Sequence, residues 1–113
     1  MKYALILAVF LLWTPVHAEV FNIYSFIMEC ESGGNPRAIN ENDKKITGYS
    51  SYGLYQFQPL TFLRYGIEYK LFPEGTTLKE AMKYILNPIY NAAVAHGMLA
   101  DELHGHWKTC YQK

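Results

Sequence analysis

Glu31 is the residue of this 113-residue chain best placed to move a proton. It follows Ile27 by four positions and Cys30 by one, and Gly33-Gly34 comes just after it, so it closes a helix at the border of an apolar stripe. Desolvation and the negative end of the helix dipole both disfavour a carboxylate there, which raises its pKa. A carboxylic acid still protonated near neutral pH is what a general acid must be. The plainer alternative is a solvated glutamate at a frayed helix end, and Glu29, on another face, fits that description. Glu41 and Asp43 follow shortly after and offer a second carboxylate that could activate water or stabilise a cation. Flanked by Asn42, Lys44 and Lys45, they read more simply as a solvated turn. His96, His104 and His106 with Asp101 match no zinc spacing and read as exposed groups on a polar helix end. No metal and no cofactor is expected.

The elements that must position Glu31 are mostly helices. Ile23, Phe26, Ile27 and Cys30 recur at helical spacing, which predicts a first helix over 20–32 with that stripe buried, stopped by Gly33-Gly34. Residues 35–57 are rich in Asn, Gly, Ser and Tyr and predict a long loop or small hairpin, with strand-like pieces at Ala38-Ile39 and Lys45 to Thr47 around Glu41-Asn42-Asp43. Pro59 opens a second helix that ends at Gly66. Thr77-Leu78-Lys79-Glu80 has capping-box spacing for a third reaching Leu86. Asn87-Pro88 starts a fourth, with Tyr90, Ala93, Val94, Gly97 and Met98 on one face, fraying near Gly105.

The N-terminus predicts export. Lys2 precedes an apolar run from Ala4 to Trp13, Thr14-Pro15 breaks it, and Val16-His17-Ala18 suits cleavage before Glu19, so 1–18 read as a signal peptide and 19–113 as one folded domain. The run is shorter than the roughly 20 residues a membrane span needs, and an uncleaved anchor is the rival. A periplasmic or secreted protein follows, with no membrane span after processing. Cys30 and Cys110 are an even pair in a small exported chain and point to a disulfide; two buried thiols or a nucleophilic Cys30 are the rivals. A closed loop of about 80 residues would stabilise the fold by roughly 4 kcal/mol in the chain-entropy model. Ten Lys and Arg against ten Asp and Glu leave no positive field for nucleic acid. Ten Tyr in so short a chain suit a surface for sugars or peptides.

The segment Cys30-Glu31-Ser32-Gly33-Gly34-Asn35-Pro36, followed by Ala38, Asn40 and Ser51-Tyr52-Gly53-Leu54-Tyr55-Gln56-Phe57, resembles the signature of lysozyme-like lytic transglycosylases, above all the variant in resuscitation-promoting factors. The likeness continues more weakly through Asn87-Pro88 and Tyr90-Asn91 to Leu99. It returns at Trp107 to Cys110, a Trp-x-x-Cys ending whose cysteine, by the resemblance, pairs with the one before the glutamate. The insertion from Asn42 to Ser50 is longer than the loop of those factors, and no Ala-Tyr-Asn-Ala-Gly segment follows the last matching helix. The tyrosine of that segment therefore has no assigned counterpart, and Tyr90 and Trp107 are the candidates.

The resemblance implies an α+β, mainly α, lysozyme-like fold with a small β or loop lobe forming a cleft. It also implies cleavage of the β-1,4 bond between N-acetylmuramic acid and N-acetylglucosamine in peptidoglycan. Glu31 would act as acid and then base, giving a 1,6-anhydromuramic product. Ser32 and Gln56 would support the site by hydrogen bonds, although helix-end solvation and turn stabilisation are their ordinary roles. Gly53 beside Leu54 would let backbone approach sugar or simply serve a turn. Tyr49, Tyr52, Tyr55, Tyr90 and Trp107 are the stock for an aromatic cleft lining, with Phe26, Phe57 and Phe62 assigned to the core. Two alternatives stay open: a hydrolytic muramidase with Asp43 or Glu41 as second carboxylate, and a non-catalytic peptidoglycan-binding protein. The expected partners are peptidoglycan glycan strands, with a cell-envelope secretion or conjugation assembly as a further candidate.

Overall fold

The computed structural model describes residues 23–111; the predicted signal peptide, its cleavage point and the start of the first helix lie outside them. Helix α1 is described over 23–32 and ends where predicted, because Gly33 and Gly34 turn into the left-handed region at φ 65° and 79°. Strand β1 (Ile39–Asn40) pairs antiparallel with β2 (Ser51–Tyr52), in the register Ile39 with Tyr52 and Asn40 with Ser51. Between them lie a 3-10 turn (Glu41–Asp43) and a short helix α2 (Lys44–Thr47). Helices α3 (Pro59–Glu68), α4 (Leu78–Met82) and α5 (Pro88–Ala100) follow, then a second 3-10 turn (His104–Trp107) and α6 (Lys108–Tyr111). The fold is mainly α with one two-stranded sheet, as expected. Among the described residues no helix is long and apolar enough to cross a membrane.

Local chemistry explains several boundaries. Pro59 occupies the first turn of α3. The Thr77 side chain accepts from the Glu80 N–H, and Asn87 accepts from the N–H groups of Ile89 and Tyr90. Several expectations need correction, and α3 runs past the predicted stop at Gly66 to Glu68. Lys45 to Thr47 is helical, capped by Gly48 at φ 87°, because β-branched type yields here to a local helical turn closed by the Gly48 N–H on Lys44 O. The third helix stops at Met82, and 83–86 continue as turns. On α1 only Ile27 of the predicted stripe is buried, while Ile23, Phe26 and Cys30 are exposed. The inward stripe is Tyr24, Ile27, Met28 and Glu31, rotated by one residue, which places Glu31 on it and not at its edge.

The core gathers Ile27, Phe57, Phe62, Phe72, Ile85, Val94, Met98 and Trp107. Cys30 and Cys110 are joined, with Cα atoms 5.8 Å apart, so the end of α1 is tied to α6. The buried face of α5 is Asn91, Val94, Ala95 and Met98, again one residue from the predicted face. Asn91 is fully buried and fully bonded: its amide donates to Ile85 O at 2.8 Å and Tyr52 O at 3.2 Å, and its Oδ1 accepts from Tyr55 N at 2.9 Å. An amide so placed is favourable because every polar group finds a partner.

Candidate functional site

Glu31 lines an open cavity of about 280 Å³ at the C-terminal end of α1. Gln56 and His106 line it from the core side, and Asn40, Asp43, Ile46 and Thr47 form the opposite wall, with Ser51 and Gln58 between. Burial comes first in raising the Glu31 pKa from 4.5 to about 7, and the charge of Asp43 adds to it. Near neutral pH the group therefore exists in both forms, the condition for giving a proton and taking one back.

The core-side wall is the turn between Tyr52 and Phe57, whose N–H and C=O groups bond each other reciprocally at 2.9 Å. Gly53 has φ 82°, and a Cβ there would collide with the Asn91 amide and the Ile85 carbonyl. Its role is to let this turn pack on α5. Gln56 has φ 53°, unusual for a residue with a side chain. Its Nε2 donates to Gly53 O at 3.0 Å and Ala38 O at 3.1 Å, binding the turn to the segment after α1. From below, the Trp107 indole donates to Tyr55 O at 2.8 Å.

The opposite wall is held by polar contacts. Ser51 Oγ donates to Asp43 Oδ2 at 2.6 Å, and Gln58 Nε2 donates to Ser51 Oγ at 2.9 Å. Asp43 is therefore half-buried and faces Glu31, which corrects its assignment to a solvated turn; Glu41 is exposed and lies outside the cavity. His106 is likewise no exposed helix end. Its ring stacks on Phe57 at 5.2 Å and meets Trp107 edge-on at 4.9 Å, and burial lowers its pKa against a smaller opposing effect from the Gln56 backbone. Neither residue had a signal beyond its type, since the partners that bring them to the cavity are distant in sequence or aromatic.

Of the residues expected at the site, the structure brings Glu31 and Gln56 to one cavity. Ser32 sits beside it with its hydroxyl donating to Met28 O and accepting from Gly34 N, which is the helix-end role. Tyr55 and Trp107 are 2% and 1% exposed and belong to the core beneath the turn. The Tyr55 hydroxyl donates to Tyr24 O at 3.2 Å, toward the start of α1 and away from its Glu31 end. Tyr52 and Leu54 are half-buried against the core, and Tyr90 packs on Phe72 and Tyr84, so neither candidate for the missing tyrosine lines the Glu31 cavity. Tyr49 is exposed at the rim of the far wall.

The chain matches a family model described as Transglycosylase SLT domain over residues 19–110. It is 40% identical over 74 residues to a Bacillus subtilis (strain 168) protein named Uncharacterized protein YqbO, an overlap that covers 65% of this chain and 4% of the length of that relative. No solved structure matches the chain significantly.

Proposed function

The chain belongs to the transglycosylase SLT domain family, and on that premise we propose that it cleaves the β-1,4 bond between N-acetylmuramic acid and N-acetylglucosamine, with Glu31 as acid and then base. The observation that carries this reading is a half-buried carboxyl group, held near a pKa of 7, facing an open cavity. Protonated Glu31 gives its proton to the bridging oxygen as the glycosidic bond breaks. The resulting carboxylate takes the proton of the C6 hydroxyl of the same muramic residue as that oxygen bonds to C1. The products are a free 4-hydroxyl and a 1,6-anhydro ring, with no water consumed. The substrate's acetamido group can stabilise the anomeric cation, so no second carboxylate is required.

A second reading has its own support. Asp43 shares the cavity with Glu31 and is oriented by Ser51, so it is available to position a water for hydrolysis. Mass spectrometry of peptidoglycan digests separates the two, because anhydromuropeptides weigh one water less than hydrolytic fragments. The proposed function expects anhydro products from wild type and none of either kind from Glu31→Gln, which keeps the shape of the side chain and removes its transferable proton. Reducing muramic ends from wild type would replace it with the Asp43-assisted hydrolase. Binding without any product would make the chain a peptidoglycan-binding protein. Export through cleavage after Ala18 to a periplasmic or extracellular site is part of the proposal, supported by the disulfide, and an intact mass beginning at Glu19 tests it.

A further inference from the structure

Next to the Glu31 cavity lies a second of about 410 Å³, and His106 lines both. Arg64 and Tyr65 enter it from α3, Met98 from α5, and Glu102 and Leu103 from the bend after α5. The Arg64 guanidinium is exposed and rests 5.2 Å from the Tyr65 ring centre. Tyr65 in turn stacks on Tyr69, whose hydroxyl donates to Asp101 at 2.9 Å, so the platform under the cation is braced. Glu102 takes φ 60°, a conformation that a side-chain-bearing residue keeps only when its surroundings impose it, and bonds from Glu102 N to Leu99 O and Leu103 N to Met98 O do so.

The cavity sets a cation and an anion over an aromatic and apolar floor. A short peptide carrying carboxylates, an amine and small apolar side chains uses all of them. Resting on the reading that the Glu31 cavity takes peptidoglycan, we propose that the second cavity seats the peptide stem of the strand being cleaved. Arg64 pairs with a stem carboxylate, Glu102 with a stem amine, and Tyr65 and Leu103 cover the apolar side chains. His106 is then the partition past which the stem leaves the glycan.

The test compares kcat/KM on glycan strands that carry their peptides with kcat/KM on the same strands stripped of stems by an amidase. Wild type is expected to favour the peptide-bearing strands. Arg64→Gln lowers that ratio about tenfold, the scale of one charged hydrogen bond, with the change in KM. Glu102→Gln lowers it in the same direction, Lys79→Gln on the exposed face of α4 leaves it unchanged, and 1 M salt shrinks the wild-type ratio. A wild-type ratio near one, or an equal loss on both substrates in Arg64→Gln, overturns the inference. Should wild type cleave neither substrate, the failure belongs to the proposed function, and binding of a soluble N-acetylmuramyl tetrapeptide still decides the second cavity. Amide shifts at Tyr65 and Leu103 on titration support it, and their absence overturns it.

Discussion

The two walls of the Glu31 cavity are built on opposite principles. The core-side wall, 52–57, is braced by Asn91 and Trp107, both no more than 1% exposed, and by reciprocal backbone bonds. The far wall, 40–49, is a 3-10 turn and one short helix with no buried residue, carrying Ile46 at 84% exposure over the cavity. Its principal tie to the rest of the cavity is the chain of bonds from Asp43 through Ser51 to Gln58. Where every polar group is paired inside the core, geometry is imposed and change is costly; where the wall is solvated, side chains can vary at little cost to the fold.

The largest expected contrast is in stability. Asn91→Ala strands Tyr55 N–H and Ile85 O in the core and should cost about 2–4 kcal/mol, read from the denaturant midpoint, whereas Ile46→Ser should stay within about 0.5 kcal/mol. Equal costs would erase the distinction between the walls. Removing the disulfide, by reduction or as a Cys30→Ser, Cys110→Ser pair, should cost about 2–4 kcal/mol. Glu31 sharpens the comparison with the opposite sign. Its folded pKa lies above its unfolded value, so its contribution is unchanged below about pH 4.5 and becomes destabilising as pH rises through 7. Glu31→Gln should thus be more stable than wild type at pH 8 by about 1–2 kcal/mol, discounted for the water that reaches the group, with the difference vanishing near pH 4. The smallest effect is on the far wall: Asp43→Asn removes a charge that raises the Glu31 pKa, so the alkaline limb of the pH–rate profile should move to lower pH. A limb that stays in place would show that burial alone sets that pKa.

Signals confined to a few neighbouring residues were legible in the sequence. The Gly33-Gly34 stop, the Thr77 cap and the Asn87-Pro88 start each act within one turn and appear where expected. The buried faces of α1 and α5 were displaced by one residue because a stripe sought in apolar letters passes over Tyr24, Glu31 and Asn91, polar groups that the core accepts once they are bonded or desolvated. Glu31 was legible through its place at a helix end. Asp43 and His106 were not, since a turn of Asn, Asp and Lys looks solvated until Ser51 folds back onto it, and a histidine looks exposed until Phe57 is beneath it. Aromatic type misled in the other direction. Tyr55 and Trp107 suit a sugar face as well as a core, and their burial together with the bond from the indole to Tyr55 O assigns them to the floor of the turn.

The central claim is that the fold holds one carboxyl group, Glu31, half-protonated at neutral pH above the cavity proposed to take the scissile bond. The most direct measurement is a carbon-13 NMR titration of the Glu31 side-chain carboxyl in the intact, oxidised protein. The expected midpoint is about 7, coinciding with the alkaline limb of kcat/KM on peptidoglycan. A midpoint near the ordinary glutamate value of 4.5 would contradict the account, because the group would then be an anion at the pH where it is asked to give a proton.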